Sequence, residues 1–242
     1  MTFEWDAMTY DDLPLPHVAW GQRVLDRLGD VDDRRVLDAG CGTGRDAAAL
    51  IERHPGVDLV GVDASVNMIE QARTRLGDRA DLVVADLTRP IPVEPVDAVM
   101  SVAAFHWVKD HDALFANLAS ITRPGGRLVS DCGGQGQLAV VEAAIEEVTG
   151  ELRTGWGFRG VAETEASLLG GGWEPRAVEL RADPLRLDDP DLLESYLAAV
   201  VLGGYLDDMD EGDRVPFVRA VRKAMAEPVI DYVRLEIDAT RR

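Results

Sequence analysis

Asp38, Asp63 and Asp86 each close a short apolar run of this 242-residue chain. A carboxylate at a strand end can accept hydrogen bonds, or receive a cation, from whatever lies beyond the strand. After Asp38 come Gly40-Cys41-Gly42-Thr43-Gly44. Glycines spaced this way let the backbone turn sharply with no Cβ in the way. The helical pattern from about Thr43 to Arg53 points its N-terminal amides back into the turn. Such a turn holds a nucleotide-like ligand. A dinucleotide fingerprint wants a third glycine where this chain has Arg45, and Asp38 would repel a pyrophosphate while suiting a cationic ligand. Asp63 ends the second strand pattern, from Val57, about 20 residues beyond the turn, where an acid can accept both hydroxyls of a ribose.

Strand patterns that alternate with helical ones must position these groups. Further strands are expected at 81–85, ending in Asp86-Leu87, at 96–102, running into Ala103-Ala104-Phe105-His106-Trp107, and at about 127–132, after the structural turn Pro124-Gly125-Gly126. This order predicts an α/β fold with a doubly wound parallel sheet. Ligands bind such sheets at the carboxyl ends of the strands, where the strand order reverses. That rule gathers Gly40–Gly44, Asp63, Asp86 and Ala103–Trp107 around one crevice. Residues 12–29 read as an amphipathic lead-in helix with Val18, Val24, Leu25 and Leu28 on one side. Helices at 190–203 and 213–226 precede a last strand from Val229 to Ile237. The chain reads as a single domain, 1–242. Residues 1–30 form its lead-in, 31–135 its ligand-binding core, and 136–242 a C-terminal part with covering helices around 150–170 and 188–227.

The segment Val36–Gly44 resembles motif I of the class I S-adenosylmethionine-dependent methyltransferases, and the later landmarks follow in that family's order. The resemblance implies a Rossmann-like, mostly parallel seven-stranded sheet with helices on both faces, the last two strands antiparallel, and a small helical cap near the C-terminus. It implies S-adenosylmethionine as methyl donor, S-adenosylhomocysteine as product, and no metal. Asp38 would lie near the methionine amino group, a sensible place for an acid because the ligand is a sulfonium and an ammonium. Asp63 would take the ribose and Asp86 the adenine amino group, with Met68 against the adenine face. Gly40, Cys41, Gly42, Gly44, Ala64, Leu87 and Ala103 complete the expected contacts, Cys41 as a small turn residue whose side chain need do no chemistry. Ala103-Ala104-Phe105-His106-Trp107-Val108 with Asp110-His111, and Asp231-Tyr232 with Arg234-Leu235, look closest to the trans-aconitate methyltransferase-like group. That implies a small-molecule acceptor, foremost a small carboxylic acid methylated on oxygen. A hydroxyl, amine or carbon centre is the alternative, as is a chain that binds the donor without transferring its methyl.

His106 is the candidate catalytic residue. A carboxylate acceptor is already ionised at pH 7 and needs positioning more than a base. A hydroxyl keeps its proton and would want one. His106 is therefore a base, a hydrogen-bond donor to a carboxylate, or a structural residue. Tyr10, Trp156, Phe158 and Tyr232 are expected to line the acceptor pocket, Trp107 to pack beneath the sheet end, and Arg153, Arg159 and Arg234 to be candidate anion contacts.

Composition narrows the partners. Acidic residues outnumber basic ones 44 to 25, for a net charge of −19, with no basic stripe. Nucleic-acid binding, which draws on Lys and Arg, is not expected. No apolar run is long enough for a membrane span and no leader pattern opens the chain. Two cysteines, Cys41 and Cys132, without metal spacing, fit a reduced cytoplasmic chain. His17, His54, His106 and His111 form no metal motif in sequence. Monomer and homodimer are both open.

Overall fold

The computed structural model describes residues 16–152 and 156–242. Its centre is a seven-stranded sheet in the order β3-β2-β1-β4-β5-β9-β6. The strands are β1 (Arg35–Ala39), β2 (Asp58–Asp63), β3 (Asp81–Val84), β4 (Val96–Val102), β5 (Thr122–Gly133), β6 (Trp173–Ala182) and β9 (Val233–Arg241). β1 to β5 pair in parallel, whereas β9 runs antiparallel to both β5 and β6. The strand order reverses between β1 and β4, as the alternating pattern requires.

Period-two alternation sends successive side chains to opposite faces. Val36 and Leu59 pack with Val24, Leu25 and Leu28 of α1 (His17–Leu28), Ala47 and Leu50 of α2 (Arg45–Arg53), and Ala72 and Leu76 of α3 (Val66–Leu76). Leu37, Ala39, Val60 and Val62 face the other way. There they meet Leu114, Phe115 and Leu118 of α4 (His111–Ser120) and Leu168 of α6 (Val161–Gly170). Both faces are thus covered by helices.

A third apolar cluster forms the cap near the carboxyl ends of the strands. It joins α5 (Ala139–Thr149), α7 (Pro190–Tyr196), a π-helical turn (Leu197–Val201), α8 (Gly203–Leu206) and α9 (Glu211–Ala224). A two-stranded ladder of β7 (Leu185–Arg186) and β8 (Val229–Ile230) borders it.

Three expectations change. α1 begins at His17, and Val18 in its first turn is 55 % exposed; Trp20, 1 % exposed, takes its place in the buried stripe. The expected last strand is two elements, because Asp231 leaves the ladder to accept the Val140 N–H at 3.1 Å with its carboxylate, at the start of α5. The π turn and α8 break the helix expected over 190–203, leaving Gly203 and Gly204 to begin a new short helix. Helix α6, expected to cover the substrate, sends Leu168 into the main core and buries Thr164.

Candidate functional site

The carboxyl ends of β1 and β4 carry the turn and the histidine that the sequence singles out. Gly40 has φ +80°, and a Cβ there would lie 2.3 Å from the Cβ of Ala104, so the β1 turn and the β4 turn touch through a residue with no side chain. Gly42, at φ +52°, has nothing among the described residues within 4 Å of an added Cβ. Its amide donates to Asp63 Oδ2 at 2.9 Å while the Ser65 N–H donates to Oδ1, also at 2.9 Å. Asp63 therefore ties the end of β2 to the glycine turn. Each carboxylate oxygen still has a lone pair for a hydroxyl.

Asp38 is 1 % exposed, and among the described residues its Oδ2 has no hydrogen-bond partner. Burial, then the nearby Asp46 and Asp63 charges, push its carboxyl well above the usual carboxylate range. A buried acid with an unmet oxygen is suited to an incoming cation. This is the fit expected for the ammonium of S-adenosylmethionine, and the open side of Gly42 leaves bare backbone beside it. Asp46, on the first turn of α2, is raised by burial to about 6 against the opposing effect of Arg45 and Arg75.

Asp86 lies beyond β3 and is exposed; its Oδ1 accepts the Thr88 N–H at 2.8 Å and the Thr88 hydroxyl at 2.7 Å. These bonds hold its carboxyl below the usual range. Met68, half-buried in the first turn of α3, and exposed Ala64 are on the same side, beside Ser65, the N-cap of α3. Leu87, beside Asp86, has its side chain in the main core and its carbonyl accepts the Asn117 side-chain amide at 2.8 Å. Cys41 is buried in the turn, and burial raises its thiol.

Ala103 holds a left-handed backbone, φ +54°, with its N–H on the Asp131 carbonyl at 2.8 Å. Such strain in a residue with a side chain collects at functional sites. Phe105–Trp107 then form a single 3-10 turn that directs Phe105 and His106 inward and Trp107 outward. Trp107 is 41 % exposed with its edge on Trp156, so it does not pack beneath the sheet.

His106 Nδ1 accepts the N–H of Gly133 at 3.2 Å. Burial, with help from the Arg234 and His111 charges, lowers its pKa to about 3. The ring is neutral with the Nδ1 lone pair occupied, so its proton is on Nε2. His106 therefore carries a donor, Nε2–H, and no second lone pair.

A strap crosses this turn. The Gly157 N–H donates to the His106 carbonyl at 2.7 Å, and the Gln135 N–H to the Arg159 carbonyl at 2.9 Å. The strap sets the stacked Trp156–Phe158 pair, 5.4 Å apart at 22°, beside the histidine, with Phe158 at 5.9 Å from its ring. Of the expected acceptor-side aromatics, Phe158 thus meets His106 and Trp156 stacks on Phe158. Tyr232 is in the cap instead, its hydroxyl 2.8 Å from that of Tyr196 and its ring 5.0 Å from Trp20. Tyr10 and Arg153 fall outside the described residues.

Of the charges beside the site, sequence reasoning names Arg234 but not its partners. Arg234, 1 % exposed, donates to Asp131 Oδ1 at 2.7 Å and to Gln137 at 3.1 Å, and lies 3.6 Å over the Trp20 ring. Arg23 and Arg181 bridge Asp131, Asp183 and Glu236 around it. The available signal is the charge of Arg234 and Glu236 between the apolar Val233, Leu235 and Ile237, and of Asp131 between Ser130 and Cys132. Arg159 points away, its guanidinium on the Lys109 carbonyl at 2.9 Å. At the amino ends of the strands, His54 approaches Asp30 and Asp32 at 3.5 and 3.8 Å, a grouping the sequence does not show. Among the described residues no helix is long and apolar enough to cross a membrane.

Residues 37–130 match the methyltransferase domain family. Over 124 residues the chain is 36 % identical to trans-aconitate 2-methyltransferase of Azoarcus sp. (strain BH72), covering 51 % of this chain and 49 % of that protein. It is 39 % identical over 125 residues to the Escherichia coli (strain K12) enzyme of the same name, covering 52 % and 49 %. The matched stretch spans about half the length of these curated relatives. Among solved structures, geranyl diphosphate C-methyltransferase from Streptomyces coelicolor, in complex with S-adenosyl-L-homocysteine, superposes with a TM-score of 0.59 at 19 % identity. The superposition covers 93 % of this chain and 76 % of that one. The fold is the class I methyltransferase fold, and the stretch that matches the methyltransferase domain family, residues 37–130, runs from β1 into β5.

Proposed function

We propose that the chain transfers a methyl group from S-adenosylmethionine to an oxygen of a small carboxylic acid. The buried, unmet carboxylate of Asp38 beside the glycine turn carries this reading, since it calls for a cation where a nucleotide-like ligand would sit. Asp38 would hold the donor's ammonium, Asp63 its ribose hydroxyls, and Asp86 and Met68 its adenine. The donor supplies an activated methyl on a positively charged sulfur. An acceptor carboxylate oxygen attacks that methyl; the O–C bond forms as the S–C bond breaks, and its electron pair stays on sulfur. The two charges cancel and no proton moves.

His106 suits that reaction and not the hydroxyl alternative. A hydroxyl acceptor needs a base, whereas the Nε2–H of a neutral His106 donates. A carboxylate needs a donor that orients it, and one hydrogen bond to a charged group contributes about 1.5–3 kcal/mol. The relatives named for trans-aconitate support the acceptor class. Calorimetry with S-adenosylmethionine and S-adenosylhomocysteine, followed by detection of labelled methyl ester from a panel of acids, phenols and amines, tests the proposal. Absence of binding heat for both ligands sinks it; methylated phenols or amines without esters replace its acceptor.

A further inference from the structure

The charges around the site limit how many carboxylates an acceptor can carry. Trans-aconitate carries three, and an anion of that kind taken out of water requires paired cations. Arginines near the carboxyl ends of the strands are already committed, and Lys109, beyond the His106 turn, is exposed. Arg234 is on Asp131 and Gln137. Arg23 is shared among Asp131, Asp183 and Glu236. Arg75 donates to the Thr43 carbonyl and hydroxyl at 3.0 and 2.7 Å. Arg45 acts on Asp46 and is engaged besides, and Arg159 is turned to Lys109. Residues 1–15 contain four acids and no Lys or Arg, which leaves Arg153 as the one basic side chain outside the described residues. The net charge of −19 opposes a polyanion further.

The walls are apolar. Val102 and Ala103, at the end of β4, pack with Trp156 and Phe158 against the cap cluster that contains Leu197 and Leu202. A site with one neutral donor, committed guanidiniums and an aromatic wall matches an acid with one charge and an apolar body.

Building on the methyltransferase reading above, we propose that the acceptor is a monocarboxylic acid with an apolar body. Its carboxylate takes the Nε2–H of His106, its body lies along the Trp156–Phe158 pair, and multiply charged acids are poor acceptors.

The test compares crotonic, cinnamic, fumaric and trans-aconitic acids in two ways. Labelled methyl transfer gives kcat/KM, and titration of the protein loaded with S-adenosylhomocysteine gives Kd. Cinnamate is expected to exceed crotonate, and each added carboxylate to cost about tenfold or more in both measures, in line with leaving a buried charge unpaired. Phe158→Arg is expected to narrow the gap between trans-aconitate and cinnamate. Trans-aconitate bound and methylated as well as the best monocarboxylate overturns this inference and leaves the methyltransferase reading standing. Failure to bind S-adenosylmethionine, or esterification of no acid at all, overturns that reading and the inference with it.

Discussion

The Nδ1 of His106 accepts the backbone N–H of Gly133 at 3.2 Å, and this one bond decides what the histidine offers. β5 thereby fixes the tautomer of a residue on the β4 turn. Burial lowers the imidazole pKa to about 3, so the ring stays neutral from the acid range upward. With saturating donor, kcat is expected to show no ionisation near the usual histidine pKa between pH 5.5 and 8. His106→Gln keeps a donor and should retain several-fold more activity than His106→Ala, which should lose about 10- to 100-fold. A kcat that falls on acidification with a midpoint near 6.5, absent in His106→Gln, would show a general base and reject this assignment.

Asp38 leads to a proton count. Its pKa is raised above the carboxylate range by burial first, then by Asp46 and Asp63. In the ligand-free protein it therefore holds its proton to higher pH than an ordinary acid. A bound ammonium favours the ionised form, so the proton leaves on binding and affinity rises with pH. Calorimetry of S-adenosylmethionine binding in buffers of different ionisation enthalpy should detect proton release. Asp38→Asn should abolish that release and weaken binding by about 1.5–3 kcal/mol. Binding heats that do not depend on the buffer at any pH from 5 to 8 contradict the assignment.

Asp63 braces the Gly42 and Ser65 amides, and in the proposed reading the same carboxylate would take the ribose hydroxyls. Asp63→Ala is expected to weaken S-adenosylmethionine and S-adenosylhomocysteine alike, by about 1.5–3 kcal/mol. Equal loss is the informative part, because the two ligands share the ribose and differ at sulfur. A loss confined to S-adenosylmethionine would mean that Asp63 acts on the sulfonium charge instead.

The fold was legible because its signals are local. Apolar runs end in Asp38, Asp63 and beside Asp86, glycine falls where φ turns positive, and Pro124-Gly125-Gly126 interrupts the pairing of β4 with β5. The site was legible to the extent that each residue acts from its own strand end. What could not be read depends on partners far apart in sequence. Arg234 looks like a free anion contact until β5 brings Asp131 against it, 103 positions away in the chain. His106 offers three roles until Gly133 takes one nitrogen. Tyr232 could line a pocket or fill a core with equal chemistry, and Tyr196, from a different element, settles its hydroxyl. Trp107 leaves its expected place beneath the sheet because the 3-10 turn that buries Phe105 and His106 must turn its third residue out.

Asp46 extends the acidic surroundings of Asp38 and has a measurable cost. It is tucked under α1, where a Cβ on Gly21 would meet its Oδ1 at 1.9 Å, so glycine at that position lets the helix and the carboxyl approach. Its pKa is raised by burial to about 6, against about 3.9 for an unfolded Asp. The folded protein keeps this proton up to about pH 6, whereas the unfolded chain releases it near pH 4. Stability from this group is therefore greatest below pH 4, falls as pH rises from 4 to 6, and is constant above. Asp46→Asn removes the ionisation while keeping the shape. The variant should match the parent near pH 4 and exceed it by about 1–2 kcal/mol at pH 7.5, allowing for partial solvent screening. Urea denaturation at the two pH values measures the difference. A variant less stable than the parent at pH 7.5 would mean that the ionised carboxyl contributes more through Arg45 and Arg75 than its burial costs, reversing the order of effects stated here.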